Sequence, residues 1–374
     1  MGIGFFEDFH ASESRRGIRA QAFTLISDKP RLHARFMLDT QWPSPIFSEV
    51  KKRVLITMDD KERAKLPVPK RSSGGIQNNQ IKCTYAVPSA GSTEQMTYHD
   101  MTNPSNQALA SIDYGDGSTG TEYSHAYAGA GTYEVTFTFA GDVTATSFAA
   151  FSYCTSLVSV VLPSRLTSLG RASFYGCNKL ASVKLPPGLT TINESVFYGC
   201  TDLVLTSLPS GVTTIGNEAF RDCHKVALTS LPRGVTSIGY ETFRNCANLA
   251  LTSLPSGVRS VDYAAFAGCT GLGSFALPSG VITLESTSFY GCIHLALTTL
   301  PKALKTIGHM AFQRCSCLTA IIFRGRPAAI GSTAFEDCAN LRSFFVPWSR
   351  GEAIDVDNPW GAANSTTTYN HGEL

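Results

Sequence analysis

From Phe151 onward the chain repeats Phe-x-x-Cys with a step that never changes. The cysteines are Cys154, Cys177, Cys200, Cys223, Cys246, Cys269, Cys292, Cys315 and Cys338, each 23 residues after the last. Three residues before each stands a phenylalanine: Phe151, Phe174, Phe197, Phe220, Phe243, Phe266, Phe289, Phe312 and Phe335. A fixed period in the twenties restricts the chain to a solenoid, in which each repeat is one coil stacked on its neighbour. One such coil cannot close a core alone, whereas nine stacked coils can.

The span Cys246–Phe266 shows what a coil must contain. Leu249, Leu251 and Leu254 alternate as in a short half-buried strand, and Pro255 ends it by removing a ladder donor. Gly257 marks a turn, and Val258 and Val261 point inward from a second extended piece. Phe266 and Cys269, three apart, share one face of an expected helical turn. The expected coil is therefore strand, turn, strand, short helix. Apolar residues recur eight after the cysteine (Leu162 to Val346) and fifteen after it (Leu169 to Ile330). The middle apolar residue of the first strand lies six after the cysteine in Leu157–Leu162 and Leu180–Leu185. It lies five after in the coils following Cys200, Cys223, Cys246 and Cys292, which should alter the strand face locally.

The cysteine ladder reads as reduced and buried. Coils about 4.8 Å apart fall within disulfide reach, but equivalent residues on stacked coils point the same way, and free cysteine behaves as a small buried hydrophobe. Zinc wants four converging ligands, and Cys315-Ser-Cys317, the one close pair, has no histidine cluster to complete it. No metal and no cofactor are expected.

The unit Leu-Pro-x-Gly-Val-Thr-x-Ile-Gly-x-x-Ala-Phe-x-x-Cys, clearest at Leu208–Cys223, resembles the BspA-type leucine-rich repeat over about residues 148–346. The resemblance implies a curved solenoid of a kind usually exposed at surfaces, with several members acting as adhesins. Phe323-Arg-Gly-Arg departs from the Leu-Pro signature, as expected where the stack ends.

Upstream, Asp113-Tyr-Gly-Asp116-Gly117, His125-Ala-Tyr127 and Gly131-Thr-Tyr133-Glu-Val135 resemble the PKD domain, an immunoglobulin-like sandwich that commonly serves as a spacer. Strand-like runs at Val54–Thr57, Ile81–Tyr85, Ala110–Tyr114 and Thr132–Phe139, separated by loops, suit it. Residues 65–79 would be a long loop or an edge. Ser12–Ile26 could form a helix within an attachment arm. Downstream, Pro347-Trp348 and Pro359-Trp360 suit a cap over the last coil, with a Trp-lined sugar site as the alternative. The fold class is mainly β with short helices, a leucine-rich-repeat solenoid preceded by an immunoglobulin-like β-sandwich. The expected parts are an arm (1–46), a PKD-like sandwich (47–146), the solenoid (147–345) and a C-terminal cap (346–374).

Residues 1–82 hold 15 Lys/Arg against 9 Asp/Glu, and the remainder 16 against 20. A mildly basic head suits a structural protein partner or simply a solvated face. Arginine runs with interleaved aromatics are lacking, which argues against nucleic acid, and no apolar run is long enough to span a bilayer. Catalysis is not expected, for there is no nucleophile elbow, phosphate loop or His-Glu-x-x-His. Asp113 and Asp116 read as turn-forming carboxylates and His125 as a structural hydrogen-bonding group.

Binding is the better expectation. A threonine row (Thr167, Thr190, Thr213, Thr236) suits exposed strand positions. The row following each phenylalanine holds Tyr175, Tyr198, Arg221, Arg244 and Tyr290, with Tyr240 and Tyr263 nearby, and Tyr and Arg dominate binding hot spots. This is the candidate binding face, for a protein or glycan on a cell surface, with oligomerisation left open. Replacing Tyr198, Arg221 and Arg244 together by Ala should abolish binding without unfolding the stack. An exported-type architecture whose start, Met1-Gly-Ile-Gly-Phe-Phe, meets Glu7 and Asp8 before any signal-like apolar stretch leads to the expectation of a phage virion surface or tail-associated protein. The alternatives are an extracellular or bacterial cell-surface adhesin and a carbohydrate-binding accessory module.

Overall fold

The computed structural model describes residues 76–97, 108–349, 359–363 and 365–368. These belong to one compact unit, Gly74–Leu374. The arm at 1–46 with its helix, the strand Val54–Thr57 and the loop as far as residue 75 lie outside the described residues.

The first strands are β1 (Gln80–Val87), β2 (Thr93–Gln95), β3 (Leu109–Asp113), β4 (Thr119–Gly120), β5 (Ser124–Ala126) and β6 (Gly131–Phe139). Strict alternation turns Ile81, Cys83, Tyr85 and Val87 of β1, and Val135, Phe137 and Phe139 of β6, to the same buried side. The strands Leu157–Val161 (β7) and Ser182–Lys184 (β9), with Ser168–Leu169 (β8) between them in the chain, are the first of the repeat region. They continue the same sheet, in the order β4-β3-β6-β1-β7-β9. β1 pairs antiparallel with both β6 and β7, whereas β7 pairs parallel with β9. The first coil thus docks edge-on to the preceding sheet, and one buried apolar cluster runs unbroken from Ile81 to Ala362. Strands β2 and β5 form a separate two-stranded ribbon.

The centre of the solenoid is a column of rings. Phe151 through Phe335 stack in eight successive pairs, with centroids 5.2–5.6 Å apart and planes within 19° of parallel. That spacing is offset stacking, worth about 0.5–1.5 kcal/mol per pair beyond the buried area. The column starts edge-to-face on Phe137 of the sheet. At the far end Trp360 packs on Phe335, Phe344 and Phe323.

The expected short helix is not formed. Residues 264–269 and their equivalents are turns, and among the described residues the one helical element is the 3-10 turn Pro359–Gly361. The reason is backbone handedness. In eight coils the residue five before the cysteine has positive φ, and in all nine so does the residue one before it: Tyr153, Gly176, Gly199, Asp222, Asn245, Gly268, Gly291, Arg314 and Asp337. Left-handed residues four apart stop an i to i−4 ladder from propagating. Alternate N–H groups point along the stack instead. Ala172, Phe174 and Gly176 donate to the carbonyls of Glu194, Val196 and Tyr198 one coil on, at 2.9, 2.9 and 2.7 Å.

The one-residue shift of the middle apolar position does not by itself decide whether a first strand forms. Leu205, Leu228 and Leu251 are buried, but the coils after Cys200, Cys223 and Cys246 form no named first strand. The coil after Cys269, whose buried Phe275 lies six on, also forms none, whereas the shifted coil after Cys292, with Leu297 buried, does form one. Named first strands return at Thr299–Leu300, Ala320–Phe323 and Ser343–Phe345. Thr366–Thr368 then pairs parallel with Ser343–Phe345, so the tail adds one more stacked piece beyond Val346. Trp348 and Trp360 are both 5% exposed, so neither ring is open to a sugar.

Candidate functional site

The loudest sequence signal is structural. Each ladder thiol from Cys177 to Cys338 donates to the carbonyl of the phenylalanine one coil back, for example Cys177 to Phe151 and Cys223 to Phe197, both at 2.9 Å. The same carbonyl accepts the N–H of the cysteine in its own coil, as Phe174 does from Cys177 at 3.2 Å. Both carbonyl lone pairs are thereby used, which explains a small side chain with one weak donor at every turn. All eleven cysteines are free, and Cys317 alone is exposed. Burial pushes the ladder thiols up, to about 12 at Cys177, Cys292 and Cys338. They remain protonated at neutral pH and are poor nucleophiles and metal ligands.

The threonine row is likewise spent within the stack. Thr167, Thr190 and Thr213 direct their hydroxyls to the carbonyls of Thr144, Thr167 and Thr190 at 3.2, 3.2 and 3.5 Å. In the PKD-like stretch, Asp113 and Asp116 each accept a hydrogen bond from the backbone two residues on, at 3.0 and 2.9 Å. His125 lies 2.7 Å from Asp116 and stacks on Tyr114 at 4.1 Å. Hydrogen bonds from Ser118, then His125, hold the Asp116 carboxyl well below the usual range. The cavity lined by Ile81, Phe139, Val143 and Ala150, about 10 Å³, has room for one water.

The residues expected to form a binding face do come together, around two carboxylates that the sequence reading did not single out. Tyr175 and Tyr198 stack at 4.6 Å, and the Arg221 guanidinium lies 4.9 Å above the Tyr198 ring. Arg221 reaches Glu218 at 2.8 Å and also bonds Glu241, whose other oxygen takes Arg244. Tyr240, the neighbour of Glu241, stacks on Tyr263 at 5.4 Å, and both rings are more than 40% exposed. Tyr290 stands apart from this group, under Arg314 at 5.7 Å.

Glu241 is 1% exposed and sits in the left-handed region, as does Glu218. A buried carboxylate in a strained backbone persists only when its surroundings hold it, and here two guanidiniums do. Burial pulls the Arg221 pKa down, but Glu241, Tyr198, Glu218 and Asp222 together raise it above the ordinary value. The Glu241 carboxylate chiefly raises the Tyr240 phenol. Burial, then Tyr153, pushes Tyr175 up to about 12. At the position of Glu241 the other coils carry Ala, Ser, Thr or Met apart from Glu218, so the coincidence of Glu there with Arg three residues on, in Glu218–Arg221 and Glu241–Arg244, was the available sequence signal. The network also changes what the triple alanine variant would do. Removing both arginines leaves Glu241 buried and unpaired, at a cost of about 3–5 kcal/mol, so that variant destabilises the stack.

Among the described residues no cluster of three His, Cys, Asp or Glu could hold a metal, and no helix is long and apolar enough to cross a membrane. Coil, column and outward ridge together define a leucine-rich-repeat solenoid of about nine turns. The sequence profile of the BspA type leucine-rich repeat region matches residues 124–250 and 236–354, in six copies, and the chain belongs to this family.

Among solved structures, the chain is similar to a leucine-rich repeat protein from Bacteroides ovatus, with 24% identity over 61% of this chain and 64% of that one and a TM-score of 0.51. It thus spans less than two thirds of that protein's length. It is also similar to a leucine-rich repeat protein of T. pallidum, with 30% identity over 48% of this chain and 73% of that one and a TM-score of 0.37. A leucine-rich cell surface protein from Faecalibacterium prausnitzii matches at 22% identity over 62% of this chain and 77% of that one, with a TM-score of 0.35. No curated protein matches the chain.

Proposed function

We propose that this chain is a non-enzymatic recognition protein of the bacterial cell-surface adhesin type, which binds through the Tyr–Arg ridge of its solenoid. The observation that carries the reading is the cross-coil network itself. Tyr175, Tyr198, Arg221, Glu241, Arg244, Tyr240 and Tyr263 form one continuous, partly exposed surface, five coils tall, braced on a buried carboxylate. Rigid aromatic and guanidinium groups held in advance lose little entropy on binding. Membership of the BspA-type family supports the same reading. The virion role expected from the sequence draws no support from the comparisons, and the carbohydrate-module alternative loses the Trp-lined site it drew on.

In this reading residues 47–146 are a PKD-like spacer and the basic segment 1–46 an attachment arm to a structural protein partner. The test is adherence of the labelled chain to intact bacterial and epithelial cells, alongside surface protease shaving of the source bacterium. Tyr240→Ala with Tyr263→Ala, both at exposed rings, should abolish adherence while leaving the circular dichroism spectrum unchanged. Unchanged adherence would remove this face, and detection of the chain in purified phage particles but not in shaved cells would restore the virion role.

A further inference from the structure

From Tyr175 onward, the row two residues before each cysteine is interrupted once. Tyr175, Tyr198, Arg221, Arg244, Tyr290 and Gln313 all project long side chains, but coil six contributes Ala267, followed by Gly268. Ala267 is buried, so it forms a floor. The coil steps on either side, measured on the phenylalanine column, are 5.6 and 5.2 Å. Arg244 and Tyr290 therefore stand two steps apart, with the space of one omitted side chain between them.

Both walls are braced from behind. Arg244 is held by Glu241. Tyr290 carries Arg314 over its ring, and the Arg314 Nη1 donates to its hydroxyl at 2.9 Å. Coil six, on the other side of Tyr290, offers nothing longer than a methyl group in the two rows at the ring. A Cβ built on Gly291 would meet nothing within 4 Å, so the rim beside Tyr290 is open. On the Arg244 side, Asn245 donates its amide to Asp222 at 2.7 Å. Its Oδ1 lies 2.4 Å from where a Cβ on Gly268 would stand, so the acceptor overhangs the floor.

We propose that this gap is a slot for one uncharged pyranose ring of a glycan, a proposal that rests on the ridge being the recognition surface. The C–H face of a sugar chair carries the partial positive charge that the π face of Tyr290 attracts, and its hydroxyls can pair with Arg244 and with the Asn245 carbonyl. Charge selects a neutral sugar. Arg244 and, beyond it, Arg221 are already matched against Glu218, Asp222 and Glu241, and Arg314 behind Tyr290 is matched against Asp337, so the walls carry no spare positive charge for an acidic ligand.

The test is a printed array of neutral, sialylated and uronate-containing oligosaccharides probed with the full chain. Ala267→Tyr refills the row with a residue that three equivalent coils already carry. Ala267→Ser leaves the gap. The expected result is binding to neutral glycans alone, lowered about tenfold or more in Ala267→Tyr and retained in Ala267→Ser, with equal thermal midpoints. The absence of any neutral glycan among those bound, preference for acidic glycans, or undiminished binding by a folded Ala267→Tyr would each overturn the slot. Cell adherence that depends on Tyr240 and Tyr263 but not on Ala267 would discard the slot and keep the ridge. Adherence indifferent to all three would discard both.

Discussion

Arg221→Met and Arg244→Met each take one guanidinium from Glu241 while keeping an apolar stem of similar length. The structure makes the two losses strongly non-additive. With one arginine gone, the carboxylate retains the other, and the loss is that of one charge-assisted hydrogen bond, about 1–1.5 kcal/mol where, as here, the arginines are 23% and 38% exposed and solvent screens the pair. With both gone, a carboxylate whose side chain is 2% exposed is left with no cation, at a cost of about 3–5 kcal/mol. The double variant should therefore exceed the sum of the singles by roughly 1–2 kcal/mol. Adding Glu241→Met should then recover most of the loss, since an apolar replacement of a whole buried ion cluster is neutral or better by about 1–4 kcal/mol. Urea unfolding followed by far-ultraviolet circular dichroism reads all four variants. Additive single losses, or a triple variant weaker than the double, would show that Glu241 is not the centre of the ridge.

Further consequences concern the stack itself. Native protein should expose one fast-reacting thiol, Cys317, to a thiol reagent, and ten more in denaturant, because the ladder is buried and its pKa values are raised; few free thiols after denaturation would contradict a reduced ladder. Gly199→Ala places a methyl where the nearest atom is 3.7 Å away but φ is +69°, so it should cost about 1–2 kcal/mol through handedness alone; a neutral effect would argue against the left-handed turn. Trp360→Ala should cost about 3–5 kcal/mol and expose the last coil, seen as early hydrogen exchange in 343–345 ahead of the central coils. The Asp116 carboxyl is held below its unfolded value, so its contribution is complete above about pH 4 and is lost as pH falls further. In Asp116→Asn the acid limb of the stability curve should be shallower below pH 4, and an unchanged limb would refute the assignment.

Much of the fold was legible because it is periodic. The 23-residue step placed the phenylalanine column, the thiol ladder and both inward rows. The helix was misjudged because the i, i+3 spacing of Phe266 and Cys269 suits a helix and a turn equally. The discriminating signal was the residue before each cysteine, which is Gly, Asn or Asp in seven of nine coils and marks a left-handed backbone. The docking of β1 on β7 was hidden since both strands show ordinary alternation and nothing local names their partner. The ridge was visible as a row of Tyr and Arg, but not its keystone. Glu241 looks like a surface residue in sequence, and only stacking brings Arg221 from the preceding coil onto it.

The most direct test of recognition through the ridge is the adherence isotherm of the labelled chain on intact cells. It compares wild type with Tyr240→Ala/Tyr263→Ala and with Thr213→Ala/Thr236→Ala in the separate threonine row. The account predicts saturable adherence that is lost in the tyrosine pair and retained in the threonine pair, with all three proteins unfolding at the same urea midpoint. Equal adherence by the tyrosine pair and wild type, or loss confined to the threonine pair, would contradict it.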